Sequence, residues 1–357
     1  MSATMTKVAF LVDARRIEVD ERPIPKIGAD DALLRVERAG LCGTDYKLFT
    51  GSLNRPYPIH LGHEILGRIE AIGPEMARRE HLAVGDRVVV EASVPCGRCK
   101  YCAGGLSRIC ANQQYYGFGH GFSGAFAEIM YLAPGSLITK ISEGVSPAAA
   151  IVASSSLANG IRWMRTVGGA EIGKSALVQG VGAQGLSGII AAKESGASPI
   201  IATGITADAP RFALALELGA DVVIDVQKED VVARVREITN DELVSVILDV
   251  SGNPEAIAMS VHLVQPQGRI VCASSIADNK PSTITTNLIT NKEVRFQGVF
   301  THSIESTRQA IKLAETNKYP LDKFISHEFS LDDAEKAVRS IGRELSEIEP
   351  IKVSITP

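Results

Sequence analysis

The feature that most restricts the fold of this 357-residue chain is an alternation of apolar and helix-like segments beyond about residue 172. The apolar segments are short and read SALVQGVG, PIIATG, DVVID, SVILDVSG, RIVCAS and VRFQGV. Helix-like sequences lie between most of them, including AQGLSGIIAAKES, APRFALALELG and EDVVARVREIT. Apolar strands that alternate with helices predict a parallel sheet covered on both faces. The region therefore predicts a doubly wound α/β domain, a type that binds dinucleotides.

The length of the chain predicts more than one domain, because a single core rarely grows this large. Its first part is rich in Gly, Pro and short β-branched runs such as DALLRVERAG and GDRVVVEA, which predicts a β-rich domain. We place this domain at residues 1–155 and the α/β domain at residues 156–299. Residues 300–357 contain two helix-like segments and a last strand, and we expect them to return to the first domain.

The charge of the chain restricts its partners. The net charge is −4 and no block of Lys and Arg occurs, which argues against nucleic acid and against an anionic membrane surface. The N-terminal MSATMTKVAF lacks the basic and long apolar regions of a secretory signal. No apolar run has the length of a membrane span. We therefore expect a cytoplasmic enzyme that acts on a small molecule.

Cysteine spacing predicts one metal site. Cys96, Cys99, Cys102 and Cys110 follow the pattern C-x2-C-x2-C-x7-C. Short C-x-x-C turns present thiolates to one ion, and four cysteines make a closed structural zinc site. Clustered cysteines in a reducing compartment favour metal thiolates over disulfides. We predict a structural zinc lobe at about residues 91–112. A zinc-ribbon nucleic-acid module is the alternative, and the lack of a basic patch argues against it.

A second set of metal-ligating residues precedes this lobe. Cys42 lies in GLCGTD, and His63 and Glu64 lie in LGHEILG. A thiolate, an imidazole and a carboxylate can hold zinc and leave a position open for a substrate oxygen, on which the ion acts as a Lewis acid. Asp45 is a candidate acceptor for the second ring nitrogen of His63. Thr44 supplies a hydroxyl suited to carrying an alcohol proton away.

A glycine motif predicts the cofactor loop. Gly180, Gly182 and Gly185 form GVGAQG, directly after the apolar segment SALVQ and at the start of a helix-like segment. In such a motif the first glycine permits a tight turn and the second lets the backbone approach a pyrophosphate. The third allows the helix to pack closely on the strand, and the helix N-terminus attracts the phosphates. We therefore predict a nicotinamide dinucleotide site here.

The end of the next strand bears on the choice of cofactor. An acidic residue about twenty positions beyond the glycines normally binds the ribose hydroxyls of NAD. Here that position is Gly204, so no carboxylate would repel a 2′-phosphate. Thr203, Thr206 and Arg211 are candidate donors to that phosphate. The interpretation that Arg211 is only a solvated residue at a helix start stays open. We predict a preference for NADP over NAD.

With these motifs in this order, the chain resembles the zinc-containing medium-chain dehydrogenase/reductase superfamily over nearly its whole length. GLCGTD, GHEILGRIEAIG, GDRVVVEASVPCGRCKYC and GVGAQG carry the resemblance. It implies a GroES-like catalytic domain and a Rossmann domain. It also implies a catalytic zinc at Cys42, His63 and Glu64, with Thr44 as relay hydroxyl and Asp45 behind the histidine. The four clustered cysteines would hold a structural zinc. The implied enzyme is an NAD(P)-dependent alcohol or polyol dehydrogenase with two zinc ions per chain, assembled as a homodimer or homotetramer.

The chain departs from the family pattern near the catalytic metal. Many members have a third Cys or Glu ligand where this chain has Ala153 and Ser154, neither of which is a good zinc ligand. Glu64 is therefore our candidate for the third ligand. Lys47 stands where a relay histidine is frequent, which removes that relay.

Two other functions are compatible with these motifs. The first is a reductase of the same fold that keeps the structural zinc and works without a catalytic zinc. The second is a non-catalytic dinucleotide-binding protein. The zinc content per chain discriminates the first alternative from the dehydrogenase, and turnover discriminates the second. The identity of the substrate does not follow from the sequence.

Overall fold

The structure is a computed structural model that describes residues 5–119, 121–274 and 280–357. Its chain forms two compact units. One contains Met1–Ser155 together with Ile311–Pro357, and the other contains Ser156–Ala310. Throughout the described residues, no helix is both long enough and apolar enough to cross a bilayer.

The N-terminal part of the first unit consists mainly of short strands. In chain order they are β1 (Met5–Asp13), β2 (Arg16–Pro23), β3 (Ala32–Leu41), β4 (Ile59–His60), β5 (Glu64–Ile72), β6 (Arg87–Val90), β7 (Ser93–Val94), β8 (Gln114–Tyr116), β9 (Gly121–Phe122), β10 (Ile129–Leu132) and β11 (Ile138–Lys140). The helices among them are α1 (Gly43–Phe49), α2 (Pro74–Glu80), α3 (Lys100–Ala103) and α4 (Pro147–Val152). The frequent glycines and prolines favour such short strands joined by turns.

The second unit begins in helical turns and continues as alternating strands and helices. A π-helical segment at Ala153–Leu157 precedes α5 (Ala158–Gly160), and another follows at Ile161–Val167. The strands are β12 (Ala176–Gln179), β13 (Ile200–Gly204), β14 (Val222–Asp225), β15 (Val244–Asp249), β16 (Val264–Cys272) and β17 (Arg295–Gly298). The helices are α6 (Ala183–Glu194), α7 (Ala209–Glu217), α8 (Val231–Ile238), α9 (Pro254–Leu263) and α10 (Thr286–Asn291).

The strands of the second unit form one parallel sheet. Within the described residues its order is β14-β13-β12-β15-β16-β17. The order reverses between β12 and β15, which is the point where sheets of this type bind ligands. All six residues of β15 are buried, because a central parallel strand is covered on both faces. This confirms the doubly wound fold predicted from the apolar segments.

The C-terminal part contains α11 (Ile304–Glu315), β18 (Ile325–Ser330), α12 (Ala334–Ile341) and β19 (Lys352–Thr356). Both of these strands join the main sheet of the first unit, whose order in the described residues is β11-β6-β5-β3-β19-β18, with β10 also paired to β3. β19 runs antiparallel to β3, with Val353 opposite Leu41. β19 therefore lies beside the strand that ends at Leu41, just before Cys42.

Periodicity predicted some elements and missed others. The two tail helices and the last strand occur where the sequence predicts them, as α11, α12 and β19. The sequence pattern did not predict α9 or α10. It also missed the helical turns between residues 147 and 167. Residues 148–164 are buried on all sides, so they lack the polar face that marks a surface helix.

Candidate functional site

The thiol of Cys42 and the imidazole of His63 lie side by side in the first unit. β3 and β5 pair antiparallel with Gly40 opposite Glu64, so the residues just beyond these strand ends meet. Cys42 Sγ lies 2.9 Å from His63 Nε2. Cys42 also caps α1, and its Sγ accepts the backbone N–H of Thr44 at 3.3 Å. These contacts bring a sulfur and a ring nitrogen to one place, and both atoms are zinc ligands in proteins.

Asp45 holds the opposite side of the imidazole. Its side chain is fully buried, and Oδ1 lies 3.3 Å from His63 Nδ1. Its Oδ2 accepts the backbone N–H of Cys42 at 3.0 Å, which completes the cap of α1. The ring of Phe118 packs on the imidazole with centroids 4.5 Å apart. Burial lowers the pKa of His63, but the charges of Asp45 and Cys42 outweigh burial and raise that pKa well above 6.5.

This arrangement has the donors that zinc selects. Sulfur and ring nitrogen face each other, and a carboxylate on the other ring nitrogen fixes the ring, as is usual for metal-ligating histidines. Cys42, Asp45 and His63 lie within metal-binding reach of one another. Because Asp45 Oδ1 lies beside Nδ1, it is placed to orient the ring while Nε2 serves as the ligand atom. The structure thus fits a zinc ion at Cys42 and His63.

The structure does not bring Glu64 into this cluster. Glu64 and His63 are consecutive, and successive side chains of an extended chain point to opposite sides. The carboxylate of Glu64 instead lies 2.5 and 2.7 Å from Nζ of Lys352, at the start of β19, and both side chains are buried. A Cβ on Gly40 would lie 2.1 Å from Glu64 Oε2, so this glycine leaves the space that the carboxylate occupies.

The segment where relatives place a third ligand offers none in this chain. Ala153 has no ligand atom. The hydroxyls of Ser154 and Ser155 both donate to the carbonyl of Ile151, at 3.3 and 2.6 Å. Serine hydroxyls are known to bond the preceding helical turn in this way. That this segment contributes no zinc ligand stays a prediction, and the contacts show where both hydroxyls donate.

The four-cysteine lobe brings its sulfur atoms together. The ligand atoms of Cys96, Cys99, Cys102 and Cys110 all lie within 4.8 Å of one another. Cys99 Sγ is 3.6 Å from Cys102 Sγ and 3.8 Å from Cys110 Sγ. With Zn–S bonds of about 2.3 Å, the sulfur atoms of a tetrahedral site are about 3.8 Å apart. The observed distances therefore fit a structural zinc ion.

Backbone N–H groups contact the sulfur atoms of this lobe. Cys110 Sγ accepts the N–H of Cys96 at 3.3 Å and that of Asn112 at 3.4 Å. Backbone N–H groups of Cys102 and Ala111 lower the pKa of Cys99 to about 6. A thiolate at neutral pH binds a metal without first losing a proton.

The glycine motif of the second unit adopts the conformation that a phosphate-binding turn needs. Gly180 follows β12 with φ +99°, a region that L side chains rarely adopt. Gly182 caps the N-terminus of α6, and a Cβ there would meet no atom within 4 Å, so its backbone is open to a ligand. A Cβ on Gly185 would lie 1.8 Å from the carbonyl oxygen of Gly180, so only glycine fits there.

The predicted donors at the end of β13 have other contacts. Thr203 is buried, and Thr206 Oγ1 donates to Asp225 Oδ2 at 2.7 Å. Arg211 is also buried, with Nη1 2.5 Å from Asp208 Oδ1. The structure therefore corrects the interpretation of Arg211 as solvated. Gly204 ends β13 without a carboxylate, as predicted.

Two residues beside the predicted centre were not predicted. Lys352 is a single cation in the apolar segment IKVSIT, and this isolation is a sequence signal, although it does not identify the partner. Phe118 lies in a Gly-rich loop, where side-chain direction does not follow from periodicity. Both reach the centre through pairings between segments far apart in the chain.

Family models match most of both units. Residues 28–143 match the model described as "Alcohol dehydrogenase GroES-like domain". Residues 183–316 match the model described as "Zinc-binding dehydrogenase". These matches include both predicted metal sites, and the second begins inside the glycine motif, of whose glycines it covers Gly185.

Proteins of known name and structure resemble the chain over nearly its full length. A probable alcohol dehydrogenase of Mycobacterium tuberculosis is 35% identical, with 98% of each chain covered. D-arabitol-phosphate dehydrogenase of Enterococcus avium is 32% identical, with 88% of this chain and 87% of the relative covered. A structure described as a zinc-binding dehydrogenase from Sinorhizobium meliloti 1021, bound to NADP, has a TM-score of 0.89 at 27% identity. It covers 99% of this chain and 100% of its own.

Proposed function

Because the chain belongs to the zinc-containing medium-chain dehydrogenase/reductase superfamily, we propose that Cys42 and His63 are the core of its catalytic centre. The protein is an NAD(P)-dependent oxidoreductase that interconverts an alcohol or polyol with its carbonyl compound by hydride transfer. The observation that carries the assignment of residues is the contact of Cys42 Sγ with His63 Nε2, with Asp45 on the other ring nitrogen.

Each residue of this centre has a separate role in the proposal. Cys42 and His63 would hold the zinc, which when bound polarises a hydroxyl or carbonyl oxygen of the substrate. Asp45 keeps the imidazole in one orientation and one tautomer. Thr44 would act as a relay hydroxyl, taking the hydroxyl proton of the alcohol at Oγ1 while it passes its own hydroxyl proton to water, and its N–H contacts Cys42 Sγ. Phe118 packs on the imidazole and excludes water from that side.

Glu64 remains our candidate for the third zinc ligand. In the structure its carboxylate pairs with Lys352, so this role requires the carboxylate to leave the ammonium. The alternative role is purely an ion pair that ties the start of β5 to β19. Substitution of the two residues separates these roles, as described in the Discussion.

We propose a second, structural zinc at Cys96, Cys99, Cys102 and Cys110. The support is the tetrahedral spacing of their sulfur atoms. All four positions are cysteine, so no coordination position remains for substrate. A content of two zinc ions per chain follows from the two sites together.

We propose that the second unit binds the dinucleotide through Gly180, Gly182 and Gly185, and that NADP is preferred over NAD. Gly204 presents no carboxylate to a 2′-phosphate. The nearby carboxylates of Asp208 and Asp225 are each paired with a cation, Arg211 and Lys228 respectively. Thr203, Thr206 and Arg211 remain the candidate donors, although Arg211 must then share its guanidinium with Asp208. The neighbouring structure from Sinorhizobium meliloti was solved with NADP.

We also propose a homodimer or homotetramer in the cytoplasm, with no nucleic-acid or membrane partner. The support for assembly is the exposed edge strand β17, in which Phe296 is 37% exposed, together with Phe300 just beyond the strand, which is 58% exposed. The six cysteines, all described in the structure, form no disulfide, which is usual in a reducing compartment.

Substitution of the proposed ligands tests the catalytic centre. We expect Cys42→Ala and His63→Ala to abolish turnover of alcohols and ketones, because zinc would lose a ligand. Dinucleotide affinity should change by less than about twofold, since the glycine motif lies in the other unit. Turnover rates, zinc content and titration with NADPH provide the measurements. Cys272→Ala is a matched control, because this cysteine lies at the end of β16 outside both clusters.

The same measurements discriminate the alternatives. An unmodified enzyme with one zinc per chain and full reductase activity would favour the zinc-independent reductase. Dinucleotide binding without turnover of any alcohol or ketone would favour a non-catalytic binding protein. Activity retained in both Cys42→Ala and His63→Ala would reject this centre.

A further inference from the structure

Asp249 is a buried carboxylate at the point where the strand order of the second unit reverses. It is the last residue of β15 and pairs in register with Gln179, the last residue of β12. Sheets of this type bind ligands beyond the carboxyl ends of the strands at such a point. Asp249 is 0% exposed, and the proposed catalytic and cofactor-binding residues do not include it.

Hydroxyl groups surround this carboxylate. Oδ1 accepts the hydroxyl of Ser251 at 2.6 Å and its N–H at 3.3 Å. Oδ2 accepts the hydroxyl of Ser274 at 2.5 Å. Ser274 Oγ in turn accepts the N–H of Gly252 at 2.9 Å. Asp249 therefore connects the segment after β15 to Ser274, which follows β16. None of these donors is a basic side chain.

The segment held in this way packs directly on the first glycine of the cofactor motif. A Cβ on Gly180 would lie 3.0 Å from Cα of Ser251 and 3.2 Å from its nitrogen. The N–H of Val250 donates to the carbonyl of Gln179 at 3.0 Å, just before the glycine turn. A displacement of Ser251 would therefore displace the turn at Gly180 as well.

The chemistry of the network suits a positioning role. Burial raises the pKa of Asp249, and the hydrogen bonds from Ser251 and Ser274 lower it. A buried carboxylate is unfavourable unless hydrogen bonds satisfy it. Since the satisfied network connects two segments beside the cofactor turn, its loss should affect the shape of that turn.

We propose that Asp249 is a positioning residue for the dinucleotide, fixing residues 250–253 through Ser251 and Ser274 so that the turn at Gly180 keeps its pyrophosphate-binding shape. This inference rests on the proposed dinucleotide-binding function of the second unit. Asp249 affects the affinity for the cofactor through Ser251 and does not contact the reacting atoms.

Removal of one hydroxyl at each end of the sheet tests this proposal. Ser274→Ala removes a contact of Asp249 at the carboxyl end. Ser245→Ala is the matched control, because Ser245 is a buried serine of β15 at the amino end, whose N–H donates to Ser175 Oγ at 3.0 Å. We expect Ser274→Ala to raise the Kd of NADPH about tenfold, and Ser245→Ala to change it less than about twofold. Asp249→Asn should also raise that Kd, because one of the two oxygens that accept a serine hydroxyl becomes an NH2 donor.

The readouts separate positioning from general stability. Binding is measured by titration calorimetry on the folded zinc-loaded enzyme, together with Tm, dinucleotide KM and kcat. A raised KM in Ser274→Ala, with kcat at saturating cofactor near that of the unmodified enzyme, supports the proposal. An equal change of Kd in Ser274→Ala and Ser245→Ala overturns it. If the unmodified protein binds neither NADPH nor NADH, the proposed function itself fails, which is a distinct result.

Discussion

At the scale of single residues, adjacent side chains have different surroundings. His63 contacts Cys42, whereas Glu64, the next residue, pairs with Lys352. Two buried opposite charges lose hydration, and their attraction offsets that loss only while both are present. The pair is therefore sensitive to removal of either partner. It also keeps the carboxylate of Glu64 from being freely available to a metal.

Substitution of this pair reveals which role Glu64 has. We expect Lys352→Met to lower the free energy of unfolding by roughly 3–5 kcal/mol, because Glu64 is then buried without a partner. We expect Glu64→Gln to lower zinc content below two per chain and to reduce kcat, as the loss of a ligand would. Denaturant unfolding and metal analysis provide the measurements. Full zinc and full activity in Glu64→Gln would remove Glu64 from the ligand set and leave it only the ion pair.

Gly204 has no side chain, so this position presents no charge to a cofactor phosphate. An aspartate there would place a negative charge close to a 2′-phosphate. At an effective dielectric near 20, like charges about 4 Å apart repel by about 4 kcal/mol before screening. A Cβ at this position would also lie 2.8 Å from Phe212 Cε1, so any substitution crowds this ring. A test must therefore separate the effect of charge on NADP affinity from the effect of crowding.

Asparagine provides that separation, because it matches aspartate in shape and lacks the charge. We expect Gly204→Asp to weaken NADP at least about tenfold more than Gly204→Asn does, a difference of about 1.4 kcal/mol. NAD affinity should differ little between the two variants. Values of kcat/KM with both cofactors check this. An unmodified enzyme that prefers NAD by kcat/KM would contradict the proposed cofactor preference.

At the scale of elements, local sequence determines the shape of both ligand-binding loops. The glycine motif forms between β12 and α6 because each glycine meets a separate steric requirement. The four-cysteine lobe includes α3, which spans only Lys100–Ala103, and a single 3₁₀ turn. So little regular structure cannot bury a core, and we infer that the metal supplies the stability of this lobe.

Loss of one ligand should therefore unfold the lobe locally. We expect Cys99→Ser to reduce zinc content by one ion per chain and to lower Tm, because three remaining thiolates leave the site open. Cys272→Ser is the control, since its half-buried thiol lies outside the lobe, and it should keep the metal content unchanged. Metal analysis and thermal melting check both variants. Unchanged zinc and unchanged Tm in Cys99→Ser would reject the structural site.

At the scale of the whole molecule, the sheet of the second unit ends in a strand with one open edge. β17 pairs with β16 on one side only within the described residues. All four of its residues are exposed. Open edges with apolar side chains can pair with a second chain. We infer that this edge contributes to self-association.

A charge on this edge tests the inference. We expect Phe296→Glu to shift the protein from dimer or tetramer towards a smaller species, because two copies would then bring like charges together. Ile172→Glu is the control, since Ile172 is 86% exposed in the same unit but lies outside β17. Sedimentation velocity measures the mass of both variants. An unchanged mass of Phe296→Glu would place the self-association surface elsewhere or show that the protein is a monomer.

The sequence alone determined the features that depend on neighbours along the chain. Cysteine spacing predicted the cluster at Cys96–Cys110, and three glycines predicted a strand, a tight turn and a helix. Apolar runs predicted the strands of the parallel sheet, because burial on both faces favours nearly continuous runs of apolar residues. These patterns involve residues close together in the chain, so they can be recognised without the tertiary structure.

Only the tertiary structure decided which distant residues meet. Glu64 and Lys352 are 288 positions apart, and no local sequence pattern indicates that they meet, since strand register brings the two together. The same holds for Ser274, which reaches Asp249 because β16 lies beside β15. Side-chain direction at a strand end depends on pairing across the sheet, and that pairing arises only when the whole chain folds.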